Sequence, residues 1–91
     1  MLKIVSSKQF KKDLKQAYKR GFEISKLSEV VNVLALNKPL EDKYHDHQLY
    51  GRYSGFRECY IEPDWLLVYR IDDDRLELFL FRTGTHSDLF R

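Results

Sequence analysis

At 91 residues, 43% of them hydrophobic and 33% charged, the chain is long enough for one self-folding domain, too short for a second, and too apolar for wholesale disorder. A net charge of +2 is too small to argue for a nucleic-acid partner by itself, and a single cysteine, Cys59, excludes an intrachain disulfide and reads as a buried strand thiol in a reducing compartment. The opening "MLKIVSSKQF" lacks the apolar stretch of a signal peptide, and no run approaches the roughly 20 apolar residues that span a bilayer, so a cytoplasmic protein without a membrane partner is expected.

In chain order, "LKIV" (residues 2–5) predicts a short first strand, and Ser6 and Ser7 behind it are candidate N-caps. Phe10, Leu14, Ala17 and Tyr18 recur at i, i+4, i+7 and i+8, the apolar stripe of a first helix, with Gly21 where a glycine stop belongs. Residues 1–20 carry seven Lys/Arg against Asp13 alone, a net +6 that leaves −4 for the rest. Lys11, Lys12, Lys15 and Lys19 therefore give this helix a basic face, suited to solvent or to phosphates. A second helix begins with Ser25 as N-cap; Leu27, Val30, Val31 and Leu34 form its stripe until "NKP" (residues 37–39) breaks it. The short link "GFEI" makes the pair a hairpin.

Residues 43–55, "KYHDHQLYGRYSG", have no clear period and read as a loop or irregular edge segment carrying His45 and His47. Three strands follow, "FRECYI" (residues 56–61), "WLLVYRI" (65–71) and "RLELFLFR" (75–82), joined by the short turns "EPD" and "DDD". The middle strand is apolar on both faces, as a central strand requires. The expected architecture is α+β, one domain over residues 1–91: an N-terminal strand and a two-helix hairpin packed on an antiparallel sheet completed by a C-terminal three-stranded meander.

Asp64 at a turn, Arg82 at a strand end, His86 just beyond it and His47 in the polar segment are not demanded by such a fold. A meander brings adjacent strand ends together, which allows Asp64 and residues 82–86 to line one cleft. An imidazole exchanges protons near neutral pH, a carboxylate acts as a base, and a guanidinium holds a phosphate through two hydrogen bonds. Together they suffice for RNA cleavage in which the 2′-hydroxyl attacks its own phosphate, a reaction closed to DNA. Each also has a plain structural reading: Asp64 as a turn residue after Pro63, Arg82 as a solvated strand end, a surface histidine as inert. Trp65 and Phe90 suit stacking on bases, or sheet core and a plug for the terminus respectively. A zinc site from Cys59, His45, His47 and His86 is disfavoured, because "HDH" has one-residue spacing and no CxxC or HExxH pattern is present.

"HDHQLYGRYSGFRECYIEPDWLLVYR" followed by "LFRTGTHSDLF" resembles the YafQ branch of the RelE/ParE superfamily, the toxin components of bacterial type II toxin–antitoxin pairs. The likeness extends over essentially the whole chain, and its most specific parts are "DHxLxG", "EPDWLL" and "RTGTHSxLF". It implies a RelE-like fold and a ribosome-dependent mRNA endoribonuclease that needs no metal or other cofactor. It also implies silencing by a cognate antitoxin encoded beside the toxin, in a possible heterotetramer on operator DNA. Carried over position by position, it makes His86 the general acid, Asp64 or His47 the base with Asp64 favoured, and Arg82 the group that stabilises the phosphorane. Tyr60, Trp65 and Phe90 fall on substrate-binding positions, and Lys11, Lys12, Lys15 and Lys19 acquire a use in docking against ribosomal RNA. The sequence departs from the pattern at Tyr60, where YafQ-like toxins commonly have a histidine; a phenol titrating near ~10 is a poor base at neutral pH but can hydrogen-bond a phosphate. Two other functions fit the fold: a ParE-like toxin that inhibits DNA gyrase by binding, against which "EPDW" and "RTGTHSDLF" argue, and a catalytically decayed antitoxin-binding module, with Tyr60 its first sign of decay.

Overall fold

In the computed structural model, which describes residues 1–90, strand β1 (Lys3–Ser6) leads into helix α1 (Lys8–Lys19) through Ser7. The Ser7 hydroxyl oxygen accepts the Phe10 amide at 2.9 Å and its O–H donates to the Phe81 carbonyl at 2.7 Å, so one side chain both caps the helix and ties it to the sheet. Phe10 and Ala17 are buried and Leu14 packs beside them, but Tyr18 is 75% exposed. The expected stripe was one residue too wide: at 100° per residue Tyr18 stands roughly 80° round from Phe10. Gly21, at φ 82°, ends the helix as expected.

Helix α2 (Ile24–Ala35) starts one residue before the expected cap, with Glu23 at the N-cap and no capping side chain. Burial compensates, because Leu27, Val30, Leu34 and Ala35 insert into the core, and Asn37 at φ 57° turns the chain away. Residues 42–53 hold two single 3-10 turns, Asp42–Tyr44 and Gly51–Tyr53, around the two-residue strand β2 (His47–Gln48).

The meander is β3 (Arg57–Glu62), β4 (Trp65–Asp72) and β5 (Glu77–Gly84). The sheet runs β1-β5-β4-β3-β2, with β1 parallel to β5 and the other pairs antiparallel. It is therefore mixed, with the apolar β4 in the centre. Strand β5 begins two residues later than expected. Asp72 Oδ1 accepts the amides of Asp74 and Arg75 at 3.1 and 3.2 Å, and Leu76 adopts φ 55°, which lengthens the turn. The strand also runs two residues further, so Arg82 lies within it rather than at its end.

Both helices pack on the sheet face that presents Cys59, Ile61, Trp65, Leu67, Tyr69, Leu78 and Leu80. The other face carries a smaller cluster, Leu66, Val68 and Leu89 with Leu49, Phe56, Tyr60 and Phe81. Leu89 belongs to a final one-turn helix, α3 (His86–Leu89), too short to show a period in the sequence. Its signal is nonetheless present: Thr85 and Asp88 form a reciprocal capping box, the Thr85 hydroxyl accepting the Asp88 amide at 3.2 Å and the Asp88 carboxylate the Thr85 amide at 2.9 Å. Cys59 is fully buried in β3, and burial pushes its thiol pKa well up.

Candidate active site

The β3–β4 turn and the start of α3 meet at one end of the sheet, and there Asp64 and His86 come together. Asp64 Oδ1 accepts two hydrogen bonds from the same residue, the His86 amide at 3.1 Å and His86 Nδ1 at 2.8 Å. These bonds hold the Asp64 carboxyl below the usual carboxylate range. A carboxylate only accepts, so Nδ1 carries a proton and Nε2 is the nitrogen left for chemistry. Nε2 lies 3.3 Å from the Tyr60 hydroxyl.

Tyr60 is the hub of this corner. Its ring meets the His86 ring at 5.6 Å between centroids, the His45 ring at 5.9 Å and the His47 ring at 6.3 Å. His47 reaches it because β2 pairs with β3 in a register that sets His47 opposite Glu58. His47 Nδ1 donates to the His45 carbonyl at 2.7 Å, and Nε2 stands 3.3 Å from Glu58 Oε1.

Glu58 is the residue that sequence reading missed. It is 4% exposed, and its second oxygen, Oε2, has no hydrogen-bond partner in the structure. Burial raises its pKa, and the nearby His47 and His86 only partly oppose that. With His47 Nδ1–H committed to a carbonyl, Nε2 is the nitrogen that faces Glu58.

The remaining expected residues are arranged differently. Arg82 sends Nε to Asp13 Oδ2 at 2.8 Å and Nη2 to Asp13 Oδ1 at 3.3 Å, while the Thr83 amide donates to the same Oδ2 at 3.1 Å. The guanidinium is thus held against α1, and this hydrogen bonding raises its pKa. Trp65 is 2% exposed; its indole N–H donates to Thr83 Oγ1 at 2.9 Å and its ring lies 5.1 Å from Phe22. Its expected stacking on a base is corrected to a packing role. Phe90 is 40% exposed and meets Tyr53 edge-on at 5.5 Å. Lys11, Lys12, Lys15 and Lys19 are all exposed along α1. Among the described residues no three His, Cys, Asp or Glu side chains are grouped so as to hold a metal ion. No helix among the described residues is long and apolar enough to cross a membrane.

A family model for the bacterial toxin of type II toxin–antitoxin systems, YafQ, matches residues 2–91. The chain belongs to the YafQ toxin family. The mRNA interferase toxin YafQ of Escherichia coli strain K12 is 42% identical over 85 residues, covering 92% of this chain and 90% of that protein. A crystal structure of a metal-bound toxin from Helicobacter pylori superposes with a TM-score of 0.93 at 51% identity, covering 99% of this chain and 100% of that one. YafQ in the Escherichia coli DinJ–YafQ complex superposes with a TM-score of 0.91 at 40% identity over the full length of both chains. These solved structures share the α+β architecture expected from the sequence.

Proposed function

We propose that this chain is an mRNA interferase, the toxin of a type II pair, cutting translated messages by attack of a 2′-hydroxyl on the adjacent phosphate. The observation that carries this reading is His86, fixed through Nδ1 and its own amide by Asp64 and presenting Nε2 to Tyr60. An imidazolium held this way donates its Nε2 proton to the departing 5′-oxygen, while Asp64 stabilises the charge and fixes the ring. Asp64 is thereby better employed as an orienter than as the base expected for it, because Oδ1 is occupied and the carboxyl is a weak proton acceptor. His47, backed by Glu58, is the better candidate to take the 2′-hydroxyl proton. The Tyr60 hydroxyl suits hydrogen bonding to the phosphate between them.

Arg82, expected to stabilise the phosphorane, is held by Asp13 and is better employed bracing β5 against α1, and Phe90 offers a half-exposed ring for a base. The exposed lysines of α1 favour a surface dense in phosphates, as the ribosome offers. A cognate antitoxin is the partner this family membership supports, as DinJ partners YafQ in the solved complex. The test is to offer purified protein the same message naked and on translating ribosomes, with a chelator present. Cuts confined to the ribosome-bound message support the reading; growth arrest without cleavage, with inhibition of gyrase supercoiling, moves the target to DNA topology.

A further inference from the structure

We propose that the cavity beside Tyr60 is a subsite for the base of a ribonucleotide flanking the scissile phosphate, an inference that rests on the interferase reading above. The cavity, of about 510 Å³, opens between α2, the first 3-10 turn and the end of β3, and its lining includes Lys26, Lys43, Tyr44, His45, Tyr60 and Glu62. Tyr60 is the wall it shares with the active site. The phenol's hydroxyl lies 3.3 Å from His86 Nε2, and its ring lies 5.9 Å from that of His45, edge-on. A nucleotide whose phosphate meets His86 therefore carries its base to the cavity mouth.

The lining has the chemistry such a base requires. Tyr44, His45 and Tyr60 supply flat ring surfaces, the sequence-tolerant platform on which bases stack. Lys26 and Glu62, joined in an ion pair at 2.5 Å, set a donor and an acceptor on the rim, and Lys43, with its ammonium 5.2 Å over the Tyr44 ring, adds positive charge for a neighbouring phosphate. His45 is held in the left-handed conformation at φ 48° and ψ 43°, uncommon for a residue with a side chain. Its carbonyl accepts from His47 Nδ1, so this strained residue joins the cavity wall to the candidate base.

The experiment maps new 5′ ends in messenger RNA after brief induction of wild type, His45→Asn and Lys43→Gln, with His86→Ala as the uncut control. Asparagine tolerates the left-handed backbone but has no ring, and Lys43 is exposed, so both variants keep the fold. The expected result is that the yield of cuts falls about tenfold in His45→Asn, the worth of one base stack, and falls also in Lys43→Gln, which removes a cation from the cavity mouth. If thermal unfolding finds His45→Asn destabilised, the Lys43→Gln yield decides alone. Wild-type pattern and yield in both variants overturn the subsite and leave the interferase reading standing. Absence of new ends with the wild type overturns that reading, and the subsite with it.

Discussion

At His86, one carboxylate oxygen fixes both the ring and the backbone of the same residue. Asp64→Asn keeps an acceptor but loses the charge that stabilises an imidazolium, so the single-turnover cleavage rate is expected to fall by about a hundredfold or more with little change in substrate affinity. The hydrogen bonds from His86 hold the Asp64 carboxyl below the usual carboxylate range. Glu58 is shifted the other way: burial puts its folded pKa above its unfolded one, so the folded state prefers it protonated. The stability it contributes is present below the ordinary carboxylate value and declines as pH rises through the raised value. Urea unfolding should find wild type losing ground to Glu58→Gln as pH rises above the ordinary carboxylate value; a gain with rising pH contradicts the assignment. Asp64 and His86 were legible in the sequence because a turn acid and a histidine past a strand end answer no packing need. Glu58 was not, since one acid within "RECY" reads as a solvated strand position. Only pairing with a two-residue edge strand, too short to carry any period, sets it beside His47.

Among the elements, α1 and its C-cap matter to the site less for the helix's lysines than for two side chains that grip the segment around His86. Asp13 takes Arg82 and the Thr83 amide, and Arg20 takes Asp88 at 2.8 Å. Asp88 is also the acid of the capping box, and the Thr85 amide followed by Arg20 holds its pKa down at about 2. Gly84 completes the fit, because a Cβ there would stand 2.9 Å from Asp88 Oδ2. The Asp13 side chain is 9% exposed and that of Arg82 23% exposed, so Asp13→Ala leaves a largely buried cation without its partner. A loss of about 3 kcal/mol in denaturant unfolding is expected, a large share of the few kcal/mol that hold a small domain together. The helix hairpin was legible from its apolar stripes. The bracing was not, because Asp13 lies 69 residues from Arg82 in sequence and an isolated acid among lysines reads as solvent-facing. The capping box of α3 was written in Thr85 and Asp88, and was obscured by the shortness of the helix it starts.

For the whole molecule, the sheet order sets the site at the β3–β4 turn and leaves α1 on the helical face with its lysines outward. Docking through those lysines is expected to weaken with salt, and replacing Lys11, Lys12, Lys15 and Lys19 by glutamine to flatten the salt dependence by roughly one counterion-release slope unit for each phosphate left without a cation. Ribosome binding titrated at two or three ionic strengths measures this; an unchanged slope removes the lysines from the interface. The α+β order of the helix hairpin and the meander was legible because the two helices carry apolar stripes and short turns mark off the three strands. The parallel pairing of β1 with β5 was not, since a four-residue strand does not state its partner. The most direct measurement is single-turnover cleavage of a message on programmed ribosomes by wild type and by His86→Ala, with circular dichroism to verify the fold. The expected result is a folded variant that binds and cuts about a hundredfold to ten-thousandfold more slowly; a folded His86→Ala that cuts at the wild-type rate contradicts the proposed chemistry.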